Sequence, residues 1–99
     1  MAYKPANRGA AIVSRVRADA VERAAKLSAI LKRTASALER SAAIAEEHAE
    51  RHRRYGDDEG ATKEHAAAAR ASDAAKRARA RAAEADRGQA NRRHADLDP

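Results

Sequence analysis

The chain has 99 residues, of which 43% are hydrophobic and 36% are charged, with two tyrosines as its aromatic residues and a formal net charge of +6. So few large side chains exclude a thick globular core, and the absence of cysteine excludes disulfides and zinc-thiolate sites. This length allows one domain at most, and a thin core favours association with another chain.

The first nine residues contain Pro5, Asn7 and Gly9 and show no periodic pattern, which predicts a flexible arm over residues 1–9. Residues 10–54 have helical periodicity without proline or glycine, and we expect one long helix there. Two of its rows, each advancing by seven residues, are expected to face a second helix. They are Val13, Ala20, Leu27, Thr34, Ser41 and His48, and Ala24, Leu31, Leu38, Ala45 and His52.

Residues 55–60 predict a turn, because Gly56 and Gly60 bracket three acidic residues. Gly56 suits the position with left-handed backbone conformation at which a helix ends. Asp57 and Asp58 suit the first positions of the next helix. A connection this short places the two helices side by side and antiparallel. The second helix is predicted over residues 61–93, followed by a frayed tail at residues 95–99.

The second helix carries a seam in which all residues but one are alanine. The seam consists of Ala61, Glu64, Ala68, Ala71, Ala75, Ala78, Ala82 and Ala85. Side chains this small allow the backbone of a partner helix to approach closely. The predicted fold is therefore all-α, a long antiparallel two-helix hairpin of coiled-coil type that dimerises into a four-helix bundle. Other long-helix arrangements stay open, because alanine seams specify register weakly.

The bulky apolar residues lie in the first helix, and its first turns extend beyond the reach of the second helix. We expect these bulky apolar residues to form the surface that binds a second copy or another protein. The predicted surface residues are Ile12, Val13, Val16, Val21, Leu27 and Ile30. The orientation of two associated hairpins stays open.

Basic residues concentrate at both ends of the chain, which the hairpin brings together at one open end. The candidates for binding a polyanion are Arg77, Arg79, Arg81, Arg87, Arg92 and Arg93. Such a cluster could contact phosphate without sequence specificity, although no module that reads bases is recognisable. An acidic protein, a membrane surface, and solvated helix faces with partners four residues away are the alternatives.

Three histidines are candidates for a metal site. His48 and His52 are four residues apart on the first helix, and the hairpin places His65 near them, a geometry that suits zinc or another divalent ion. The alternative is that His48 and His52 simply fill the seam near the turn. No residue pattern for nucleophilic or acid/base catalysis is present, so we expect no enzyme and no cofactor.

The N-terminus lacks the apolar core of a signal peptide, and no run approaches the length of a membrane span, so a cytoplasmic location is expected. Heavy use of alanine and arginine suggests a bacterial or phage source. The sequence thus predicts a small non-enzymatic helical interaction or assembly protein. The alternative is a nucleic-acid-associated protein.

Overall fold

A computed structural model describes the backbone of residues 5–97 and the side chains of residues 8–92 and of His94. Within that range the chain forms two long helices and no strand, α1 over Pro5–Arg54 and α2 over Asp58–Leu97. The all-helical prediction is confirmed. The molecule is extended and measures 85 × 22 × 13 Å. Its smallest dimension is close to the diameter of a single helix with side chains, which is about 10–12 Å.

Both helices are longer than the sequence predicts. Helix α1 begins at Pro5 instead of residue 10, because proline at the first helical position has a suitable φ and lacks an N–H that would stay unbonded there. Residues 5–9 of the predicted arm are thus helical, and residues 1–4 lie outside the described residues. Helix α2 runs through Gly88 to Leu97, so it includes part of the predicted tail, while residues 98 and 99 lie outside the description.

Asp57 both closes α1 and opens α2. Its N–H donates to the carbonyl of His52 at 2.8 Å, and the N–H of Gly56 donates to the carbonyl of Arg53 at 3.1 Å. These two bonds form a Schellman motif around Gly56, whose φ of 76° favours glycine. The Asp57 side chain then caps α2, since Oδ1 accepts the N–H of Gly60 at 2.9 Å. The connection between the two helices therefore needs very few residues.

All buried apolar residues in the described part of the chain are alanines. In α2 they follow the seam seen in the sequence, while Glu64, Ala71 and Ala85 are half-buried. The buried alanines are Ala35, Ala45 and Ala49 of α1 and Ala61, Ala68, Ala75, Ala78 and Ala82 of α2. Only a thin layer of methyl groups therefore separates the helices, with Leu31 and Leu38 packed at its side.

One of the two rows predicted to face α2 is wrong. Ala24, Leu31, Leu38, Ala45 and His52 are buried or half-buried, as expected. In the other predicted row, however, Leu27 is 50% exposed and Thr34, Ser41 and His48 are also exposed. The neighbouring row of smaller residues faces α2 instead, namely Val21, Ser28, Ala35, Ala42 and Ala49. Methyl groups on both helices permit close approach. If the side chain of Leu27 lay between the helices, it would hold them apart.

Candidate interaction surface

One side of the seam is connected by ion pairs between the helices. Lys32 Nζ lies 3.0 Å from Asp86 Oδ2, and Arg79 Nε lies 2.6 Å from Glu39 Oε1. Nearer the turn, His65 Nδ1 lies 2.9 Å from Glu46 Oε1. The α1 partners Lys32, Glu39 and Glu46 are seven residues apart and follow directly after Leu31, Leu38 and Ala45. We call this side the ion-paired flank.

Two carboxylates of the ion-paired flank, those of Glu39 and Asp86, are stabilised in their charged form. Hydrogen bonds from Arg79 lower the pKa of Glu39. The nearby Ser28 hydroxyl and Lys32 lower the pKa of Asp86. Ser28 is buried, and its hydroxyl makes no hydrogen bond of good geometry within the described residues. Ser28 is thus a buried polar residue in a row that otherwise consists of Val21 and of alanines.

The opposite side of the seam exposes the bulky apolar residues of α1, and we call it the open flank. Leu27, Ile30 and Ile44 are 50% to 51% exposed, and Val16 is 58% exposed. Of the predicted surface residues, Ile12 and Val13 are similarly exposed, while Val21 is half-buried in the row that faces α2. The set of exposed residues predicted from sequence omitted Ile44. Ile44 lies in the same seven-residue row as Val16, Arg23, Ile30 and Ala37, which the sequence already marks as an apolar row interrupted by Arg23.

Helix α2 contributes small and basic residues to the open flank. Ala67, Ala74 and Gly88 are half-buried there, and they form a low floor beside the apolar residues of α1. Next to them stand three exposed arginines, Arg70, Arg77 and Arg81. None of the three makes an ion pair with another described side chain. The open flank is thus a shallow groove with an apolar wall and a basic border.

The six arginines predicted to bind a polyanion do not form one cluster in the described structure. Arg79 is held by Glu39 on the ion-paired flank, whereas Arg77 and Arg81 lie on the open flank. Arg87 is exposed, and Arg92 Nη1 donates to the carbonyl of Ala20 at 3.5 Å. The side chain of Arg93 lies outside the described residues.

The three candidate metal ligands have separate carboxylate partners. His52 Nδ1 lies 2.8 Å from Asp57 Oδ2, and His48 Nδ1 lies 3.9 Å from Glu64 Oε2. His65 is paired with Glu46 instead. Among the residues that the structure describes, no group of three or more histidines and carboxylates is arranged to hold a metal ion. The structure therefore does not bring His48, His52 and His65 together as one site.

The turn is the most densely hydrogen-bonded polar site of the described chain. The N–H of Gly60 and the ring of His52 lower the pKa of Asp57, with the bond from Gly60 as the larger cause. A Cβ on Gly60 would collide with the Asp57 carboxylate and with the His52 ring. The hydrogen bonds of the turn are made among its own residues, and they join the end of α1 to the start of α2.

Comparisons with known proteins assign no family to this chain. No family model, no curated protein and no solved structure matches it. Neither of the described helices contains an apolar stretch long enough to cross a membrane.

Proposed function

We propose that this protein is a small non-enzymatic interaction protein whose working surface is the open flank. The observation that carries the proposal is that the small apolar side chains are buried and the large ones are exposed, the reverse of an ordinary protein core. Alanines are buried between the helices, while Val16, Leu27, Ile30 and Ile44 remain half exposed. Burying a Val, Leu or Ile side chain fully is worth about 1.5–3 kcal/mol relative to full exposure. Apolar area left on one face in this way is available to stabilise a complex.

The proposal takes α1 and α2 as a long antiparallel hairpin that presents the open flank. Its support is the tight turn at Gly56 and Asp57, together with the ion pairs between the helices. The pairs lie progressively farther from the turn on both helices. They are His65 with Glu46, Arg79 with Glu39 and Asp86 with Lys32. A hairpin of this kind is a rigid support, so its exposed face is already ordered before a partner binds.

Two kinds of protein partner would bury this surface. A second copy of the chain would give a four-helix bundle, and a different protein would give a mixed bundle. Helix α1 has 50 residues and α2 has 40, so a stretch of α1 about 15 Å long has no counterpart in α2. Ile12 and Val13 belong to that stretch, and either partner would cover them.

Light scattering and affinity capture with matched variants test this function. The double variant Ile30→Gln/Ile44→Gln removes apolar area from the open flank, whereas Ala29→Gln/Ala43→Gln changes exposed residues elsewhere on α1. We expect the isoleucine variant to lose self-association or the capture of a defined partner, and the alanine variant to retain it. If both variants associate like the original chain, the open flank is not the working surface.

Association with nucleic acid is the second candidate, and the observation that favours it is the set of unpaired arginines on α2. Arg70, Arg77 and Arg81 are exposed and could neutralise phosphates. Under this alternative, Arg77→Gln/Arg81→Gln would release nucleic acid that co-purifies with the chain, as would a rise in salt. Ultraviolet absorbance recorded with the light scattering separates the two functions. The isoleucine substitutions would leave binding to phosphate unchanged.

A further inference from the structure

The charges that border the open flank indicate what kind of protein occupies it. Resting on the proposed function, we infer that the occupant is an acidic amphipathic helix of another protein. Such a helix would place apolar side chains against Leu27, Ile30 and Ile44. It would direct carboxylates towards the arginines on both sides of the groove.

Both long edges of the open flank are basic. On α1, the row beyond Ile30, Ala37 and Ile44 contains Arg33 and Arg40 in its middle, with Asp19 and Glu47 nearer its two ends. Neither Arg33 nor Arg40 makes an ion pair within the described residues. On α2, the edge is formed by Arg70, Arg77 and Arg81, with Glu84 as the acidic residue in the same rows. Charges on the ion-paired flank are instead matched within the chain. The open flank therefore carries positive charge that only a partner can balance.

A second copy of the chain is a poor match for these edges. Because both edges are basic in their middle, two fully overlapped copies placed face to face would oppose arginines with arginines. Glu39 and Asp86, which could supply negative charge, are already bound on the other flank. Of the other acidic residues, Glu47, Glu50 and residues 57–59 lie near the turn, while Asp19, Glu22, Asp73 and Glu84 lie singly elsewhere along the two helices.

The shape of the open flank favours a helix over a flat or flexible partner. The apolar wall runs along α1 from Val16 to Ile44, which spans about 42 Å, and Arg23 is the charged residue in its row. Beside it, the small side chains of Ala67 and Ala74 and the absence of one at Gly88 lower the surface of α2. A convex helix fills such a groove with anchors three, four and seven residues apart. A flat anionic membrane would leave the floor uncovered, and a nucleic acid would leave the apolar wall uncovered.

Binding of two synthetic peptides, measured by fluorescence anisotropy, tests the inference. Each peptide is a helix of about 28 residues with leucines on one face, and the leucines are flanked by glutamates in one peptide and by lysines in the other. We expect the acidic peptide to bind at least about tenfold more tightly than the basic one, and less tightly as salt rises. Circular dichroism confirms beforehand that each variant of the protein retains its helices.

Matched variants of the protein locate the contact. Arg77→Gln/Arg81→Gln and Ile30→Gln/Ile44→Gln should each weaken binding of the acidic peptide by about tenfold or more. Each variant has a control outside the groove. The control for the arginine variant removes two positive charges from α2, and the control for the isoleucine variant places two glutamines on α1. Lys76→Gln/Arg87→Gln and Ala29→Gln/Ala43→Gln should bind like the original chain. Equal losses in the controls would show that the groove is not the binding site.

Four other outcomes would overturn the inference. A dimer that persists at high salt and requires Ile30 and Ile44 would make a second copy the occupant, and the proposed function would stand. Equal binding of both peptides would remove the role of charge. Binding to phosphatidylserine vesicles without peptide binding would indicate a membrane. Binding to duplex DNA that depends on the arginines but not the isoleucines would overturn the proposed function as well.

Discussion

The guanidinium of Arg79 donates two hydrogen bonds to the carboxylate of Glu39, at 2.6 Å from Nε and at 2.9 Å from Nη2. The two residues are 40 positions apart in the chain. Two parallel bonds of this kind form the most directional ion pair available to side chains. Hydrogen bonding to the partner lowers the pKa of Glu39 and raises that of Arg79. This pair defines the middle of the ion-paired flank.

Reversing the charges of Glu39 and Arg79, singly and together, tests whether the two side chains interact. We expect Glu39→Arg to lower the melting temperature, because it places two arginines together, and Arg79→Glu to do the same. The double variant should recover most of the loss, since the charges are again opposite. Each effect should be small, because both side chains are about half exposed to water. Thermal unfolding followed by circular dichroism measures this cycle, and strictly additive losses would contradict the contact.

Two glycines of α2 should respond in opposite directions to the same substitution. Gly60→Ala should destabilise the protein, because the added Cβ would displace the side chains of Asp57 and His52 and so disturb the cap of α2. Gly88→Ala should stabilise it by up to about 1 kcal/mol, since the space around Gly88 is open and alanine is the better helix former. Urea unfolding of the two variants measures both signs. A gain in stability from Gly60→Ala would mean that the turn relaxes freely.

Acid should weaken the turn through Asp57. Its pKa is lowered in the folded chain by the N–H of Gly60 and by His52. The stabilisation is therefore present above the unfolded pKa of about 3.9 and is lost as pH falls through the folded value. We expect the stability difference between the original chain and Asp57→Asn to be constant near neutral pH and to shrink below about pH 4.

The control for this experiment is Asp73→Asn, which changes an exposed acidic residue of α2 far from the turn. Its difference from the original chain should vary much less with pH. Melting temperatures between about pH 2 and pH 7 provide both curves. If the Asp57→Asn difference stays constant down to the lowest pH, the carboxylate does not contribute to stability through these bonds.

A larger side chain in the seam should force the helices apart. Ala75 is 3% exposed and packs in the cluster with Ala35 and Ala78. We expect Ala75→Leu to destabilise the protein by about 1–3 kcal/mol, although leucine is also a good helix former. The same substitution at Ala66, which is exposed on α2, should be close to neutral. Equal stability of the two variants, measured by chemical denaturation, would show that the seam tolerates greater separation.

The sequence allowed prediction of the features that depend on local chemistry. Both helices, the glycine that ends α1 and the alanine seam of α2 follow from periodicity, helix propensity and turn chemistry. The extra helical turns at Pro5 were missed, because a short segment with Pro5, Asn7 and Gly9 resembles a loop when it is considered alone. Proline at the first helical position reverses that interpretation.

The face of α1 that meets α2 could be predicted only in part. The expectation that Leu27 would be buried followed from the usual preference for bulky side chains in a core. Against a seam of methyl groups, however, small residues on both helices pack more closely, and Ser28 and Ala35 occupy the contact. The distinction between the two flanks also depends on which charges meet across the helices, and periodicity within one helix does not specify that.

The ion-paired flank has a consequence for how the two helices find a single alignment. The alanine contacts repeat every seven residues, so they would form again if α2 slid along α1 by one repeat. Lys32 would then lie opposite Arg79, or Glu39 opposite Asp86, depending on the direction of the slide. The opposite order of signs in the pairs Lys32–Asp86 and Glu39–Arg79 therefore disfavours both displaced alignments. Weak contacts at the surface thus help to select one arrangement among those that a repeating layer of small side chains permits.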